Sequence, residues 1–215
     1  MAQIFPEWTN KLPTYAVAGI AAMAIMVTGF FWYYGSPKYT DVGYRPKQPV
    51  AYSHKLHAGD LGIDCRYCHT NVEISPKANI PPTQTCMNCH KLILPESEKL
   101  LPVRESWANK TPIEWIKIHD LPDYVYFDHS AHLNAGVGCL SCHGNIAEMA
   151  VVMQVKPLSM GWCLDCHRNP NNHLRPKEEL TNMNWIAPAH QKDFAEKMIK
   201  EKNINPPLDC SGCHR

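Results

Sequence analysis

Residues 127–143 read FDHSAHLNAGVGCLSCH, and both ends of this stretch carry patterns that recur elsewhere in the chain. At its end, Cys139, Cys142 and His143 form Cys-x-x-Cys-His. The same spacing stands at Cys65, Cys68 and His69, at Cys86, Cys89 and His90, at Cys163, Cys166 and His167, and at Cys210, Cys213 and His214, so five sites use all ten cysteines. At its start, Phe127, His129 and His132 make an aromatic-x-His-x-x-His frame. Residues 52–69, YSHKLHAGDLGIDCRYCH, repeat it as Tyr52, His54 and His57, with seven residues before the first cysteine where the later copy has six. Each frame leads to one site and then a second, so the pattern predicts two copies of a two-site unit.

Cys-x-x-Cys-His is the attachment motif of c-type haem: each thiol forms a thioether with one vinyl group, and the next residue sets an imidazole under the iron. The chain is therefore read as carrying five covalently bound haem c groups, with His69, His90, His143, His167 and His214 as proximal ligands. Zinc sites built from paired Cys-x-x-Cys units need an even number of pairs, and there are five. Disulfides give no reason for a histidine after every second cysteine. Seven histidines remain: His54, His57, His119, His129, His132, His173 and His190.

The rest of the composition agrees with a cofactor-filled interior. Eighteen prolines recur through a sequence that has no long periodic apolar run after residue 40, so the predicted fold is a multihaem cytochrome c, mostly irregular, with short α-helices packed around haems. Thr111, Pro112 and Glu114 predict a helix start leading into Trp115, Ile116 and Ile118. A second helix is predicted over 188–202. The formal net charge of +1 offers no basic patch, which sets nucleic-acid binding aside.

The first part of the chain reads differently. No charged residue lies between Lys11 and Lys38, and residues 15–34 are twenty almost wholly apolar positions ending in Phe30, Phe31, Trp32, Tyr33 and Tyr34. Such a helix spans about 30 Å, the thickness of a bilayer's hydrocarbon core, with an aromatic belt at one end. A cleaved signal peptide would end in small residues, whereas this run ends in bulky rings, so it predicts an uncleaved single-pass anchor. The expected organisation is an anchor over 1–37 with a transmembrane helix at about 14–34, two-haem units over 38–108 and 109–175, and a segment over 176–215 with the fifth haem. Covalent haem attachment takes place outside the bacterial cytoplasmic membrane, which puts the haem region on the periplasmic side.

The histidine frame resembles that of the small cytochromes c7 and c3. That resemblance implies His54 as distal ligand to the haem at His69, His57 to that at His90, His129 to that at His143, and His132 to that at His167. The fifth distal ligand is expected to be His119, which closes an apolar stretch, with His173 and His190 as alternatives. Met149, Met153 and Met160 are read as packing against haem faces, a thioether ligand being the other possibility. Imidazole on both faces leaves an iron no open position for substrate, so electron transfer is the expected function, with no catalytic residues.

Over nearly its whole length the chain resembles the pentahaem cytochrome c subunit of bacterial alternative complex III. The resemblance is carried by HKLHAGDLGIDCRYCH, IPPTQTCMNCH, LSMGWCLDCHRNP and the closing CSGCHR. It implies passage of electrons from quinol oxidation to a periplasmic acceptor. It also implies an iron-sulfur subunit, integral-membrane quinol-oxidising subunits and a monohaem cytochrome c as partners. A stand-alone membrane-anchored quinol dehydrogenase feeding a periplasmic reductase is the alternative. A pentahaem nitrite reductase fits less well, because such enzymes keep an open haem and here every site ends in histidine.

Overall fold

The uncharged stretch becomes helix α1, Leu12–Tyr34, with Pro13 in its first turn, in the computed structural model, which describes residues 4–214. A 3-10 turn, Glu7–Lys11, runs into it, and the 28 residues Glu7–Tyr34 are long and apolar enough to cross a membrane. Apolar side chains cover the whole circumference and none is buried, which is the pattern of a membrane span or a signal sequence and not of a surface helix. The helix ends at Gly35, whose amide donates to the Phe31 carbonyl at 2.9 Å. Rings gather there, Phe30 lying 4.5 Å from Tyr34 and Tyr34 lying 4.6 Å from Tyr39. This unit comprises Met1–Asp41, and Val42–Arg215 forms a second one.

In the second unit the backbone is short helix and irregular chain. Its helices are α2 (Thr83–His90), α3 (Leu101–Asn109), α4 (His129–Ala135), α5 (Met160–Arg168) and α6 (Gln191–Lys202), joined by single helical turns. No sheet forms among the described residues, where pairing is limited to isolated bridges between Val125 and His214 and between Val137 and Leu174. Apolar burial is sparse. Among the described residues eight apolar side chains are buried, and most of them fall in two separate clusters: Val72, Leu133 and Leu180, and Leu174, Ala195 and Met198. Helix α6 supplies the last two at a spacing of three residues, while Lys192 and Glu196, and Lys197 and Glu201, pair on it at 3.7 and 3.8 Å. It starts at Gln191, three residues later than its sequence predicts, with exposed His190 at its N-cap.

The helix expected from Thr111 does not form, and 111–117 is irregular. The side chain of Gln48 donates to the Ile116 carbonyl at 2.9 Å and accepts from the Ile116 amide at 3.0 Å. Two backbone groups that a helix would pair locally are thus taken by a residue 68 positions away. The Thr111 carbonyl is likewise taken, by the hydroxyl of Ser106 at 2.6 Å. Further long-range bonds cross the expected module boundaries: the Lys55 amide donates to Met149, that of Ser130 to Ser75, and the Thr181 hydroxyl to Asp64.

Candidate haem-attachment sites

Four of the five motifs lie on α-helical turns and the fifth on a 3-10 turn, Cys210–Gly212. One turn is what the spacing needs, since residues three and four apart share a helix face. Local caps set these turns up. Asp64 accepts from the Arg66 amide at 2.8 Å, Asp209 from that of Gly212 at 2.9 Å, and Ser159 from that of Trp162 at 3.4 Å. After His143 the chain turns at Gly144, with φ of 68° and ψ of −168°, a region open to glycine, and a Cβ there would press on Val155. None of the ten cysteines is joined to another in a disulfide.

The two histidine frames have nearly the same geometry. The Tyr52 ring meets His54 edge-on at 4.8 Å and stacks on His57 at 4.4 Å; Phe127 meets His129 edge-on at 4.8 Å and stacks on His132 at 4.5 Å. The aromatic residue that opens each frame, two positions before its first histidine, therefore fixes both imidazoles. Aligning the two copies displays it, although ligand chemistry alone gives no reason to look there. Asp128 caps α4 through the Ser130 and Ala131 amides, placing His129 and His132 one turn apart.

Three of the four frame imidazoles face proximal ones at one recurring distance. Ring centres lie 6.2 Å apart for His57 and His90, 6.1 Å for His132 and His167, and 6.4 Å for His129 and His143. Two imidazoles on opposite faces of one metal ion, each with its nitrogen about 2 Å away, place their centres about 6 Å apart. The nitrogens are prepared for that role. Nδ1 of His57, His90, His129, His132 and His167 donates to the carbonyls of Ser53, Ile93, Pro76, Asp128 and Pro207 at 2.7 to 3.0 Å, which leaves each Nε2 with a lone pair. His69 does the same to Asn79, at 2.7 Å, from a residue held at a φ of 71°. His214 donates to Tyr124 at 3.2 Å. The residues present fit haem held between paired imidazoles.

Burial first, and then the charges of His69 and His57, push the pKa of His54 down to about 4. Burial, with His119, His129, His69 and His54 nearby, pushes His143 down to about 3. Both imidazoles thus stay neutral, the state that binds metal. His119 packs edge-on against His143 at 4.4 Å, too close for the two to face each other across an iron, and its Nε2 is buried without a hydrogen-bond partner. The ring found against His214 is that of Tyr124, at 5.7 Å. His173 is half-buried and His190 exposed. Met149 and Met153 are half-buried and Met160 is exposed at the start of α5.

Residues 125–215 match the family described as cytochrome c7 and related cytochrome c. The chain is also similar to the multiheme cytochrome c subunit of menaquinone reductase from Nitratidesulfovibrio vulgaris (strain Hildenborough). The two are 35% identical over 153 residues, which is 60% of this chain and 71% of that one.

Proposed function

The chain belongs to the multihaem cytochromes c, and from that premise we propose that it is the electron-transfer subunit of a membrane quinol-oxidising complex of the alternative complex III kind. The observation that carries this reading is the recurring 6.1 to 6.4 Å spacing of paired imidazoles. Haem so ligated takes up and gives up single electrons and binds no substrate at its iron. The chain's own part is to hold neutral imidazoles in place through backbone carbonyls, to stack them on Tyr52 and Phe127, and to anchor the assembly. Five haems are proposed, on the cysteine pairs from Cys65 and Cys68 through Cys210 and Cys213. Helix α1 is proposed as a single-pass anchor in the bacterial cytoplasmic membrane, with the haem region periplasmic.

Gentle detergent extraction and identification of co-purifying subunits tests the reading. An iron-sulfur subunit, integral-membrane subunits and a monohaem cytochrome c are expected, and menaquinol added to the assembly should reduce its haem. Recovery of the chain alone would favour the stand-alone quinol dehydrogenase. The similar Nitratidesulfovibrio subunit, named for menaquinone reductase, supports a second reading in which electrons run toward quinone. Haem oxidation on adding menaquinone, with no reduction by menaquinol, would select it.

The ligand assignments carry their own expectation. His57→Ala, His129→Ala and His132→Ala should each turn one ferric haem high-spin by electron paramagnetic resonance, while intact mass still shows five haem additions. His119 is proposed for a further iron, on the strength of its unpartnered Nε2, so His119→Ala should do the same and His190→Ala should not. A variant that stays wholly low-spin removes that histidine from the ligand set.

A further inference from the structure

We infer that the five attachment sites stand in single file in the order second, first, third, fourth, fifth, so that the turns at Cys86–His90 and Cys210–His214 are its two ends. This rests on the electron-transfer reading, and it concerns only where the chain's own residues put the sites. Four junctions, each a contact or a shared segment, define the file.

Between the second and first sites, Asn88 Nδ2 donates to the Tyr67 hydroxyl at 3.1 Å, and each of these residues immediately precedes the second cysteine of its motif. The first frame spans the same junction, since it runs directly into the Cys65 site while its His57 faces His90. Between the first and third sites, the side chains of Cys65 and Cys139 lie next to each other. The segment 75–79 serves both sites: the Asn79 carbonyl accepts from His69 and the Pro76 carbonyl from His129, at 2.7 and 2.8 Å.

Helix α4 joins the third and fourth sites, because His129 faces His143 and His132, one turn on, faces His167. Between the fourth and fifth, Pro207 touches both. Its carbonyl accepts from His167 at 2.8 Å, and its ring lies so close to Gly212, inside the last motif, that a Cβ there would clash. Three of these junctions join neighbours in sequence and one does not. The first site sits between the second and the third, so losing it isolates the second site, whereas in sequence order the first site would be an end.

Because the native cysteines are all in the motifs, one added cysteine offers a unique thiol for a ruthenium photoreductant. With the label on Lys91→Cys, next to the second site, flash reduction of the full haem-loaded chain should spread over five haems in the fast phase. Removing the first site by Cys65→Ala and Cys68→Ala should cut that fast phase to a single haem, a fivefold loss, while removing the fifth site should leave four. Four haems in the fast phase after loss of the first site would overturn the inference. If that variant does not retain four haems by mass, the label moves to Leu208→Cys at the other end and the second site is removed instead. The file expects four connected haems there, whereas sequence order would leave three. Neither arm uses quinol or a partner, so failure of the quinol-oxidase reading would leave this result standing, and the reverse also holds.

Discussion

In a host that cannot attach haem, the chain after Val42 is expected to remain unfolded. Its circular dichroism should show little helix beyond that of α1, protease should degrade it under conditions the haem-loaded protein withstands, and no cooperative melt should appear. The reason lies in what the chain buries alone. The eight apolar side chains buried among the described residues, divided between two small clusters and two isolated positions, are too few to offset the ordering of such a length of backbone. The helices give little independent help, since the longest after α1 has 12 residues and peptide helices below about 12–15 residues are marginal in water. Leu92, Ile93, Leu94 and Ile74 are all exposed in the protein's own fold. In the proposed haem-loaded protein, distant segments would be held together by the facing imidazoles and the thioether links, which act as cross-links do by restricting the unfolded chain. Each frame would thereby tie residues 33 or 35 positions apart, His57 to His90 and His132 to His167. A cooperative thermal transition in the haem-free chain, at a temperature near that of the loaded protein, would show that side-chain packing suffices and would refute this account.

The parts legible in the sequence are those whose chemistry is local or repeated. Cys-x-x-Cys-His encodes its own helical turn, and the aromatic-x-His-x-x-His frame encodes two ring contacts that come out alike in both copies. The apolar stretch Tyr15 to Tyr34 needed nothing outside itself to become α1. Distant contacts defeated the rest. Thr111 through Glu114 has every local mark of a helix start, yet Gln48 takes up both backbone groups of Ile116 and tertiary contact overrides the cap. His119 follows the same segment, and no local signal places its ring on His143. The adjacency of the first and third sites depends on the segment 75–79 lying under α4, which neither motif spacing nor periodicity records.

Arg175 is the other residue whose role only the fold discloses, and its replacement should have large effects that separate by variant. It is 2% exposed, and no carboxylate pairs with it among the ion pairs of the described residues. Its guanidinium lies 4.5 Å over the Trp185 ring and donates to the carbonyls of Asn182 and Glu179 at 3.2 and 3.4 Å. The side chain crosses Gly138, where any Cβ would strike it, and the loop it organises brings the Leu180 carbonyl to the Cys139 amide at 3.0 Å. Hydrogen bonds to a charged group and a desolvated cation–π contact are each worth about 2 kcal/mol. Arg175→Ala should therefore raise amide exchange over 174–182 by about a hundredfold or more, at roughly 1.4 kcal/mol per factor of ten. Charge is a separate matter. A buried cation beside the Cys139 site disfavours the ferric state, which carries one more positive charge than the ferrous, so Arg175→Met should lower the midpoint potential of at least one haem. Arg175→Lys keeps the charge but loses the planar stack and the forked donors, so it should speed amide exchange while holding the potential near its original value. Unchanged potentials in Arg175→Met would mean that the guanidinium is already neutralised by an anion of the loaded protein, and the argument from charge would fall while that from packing remained.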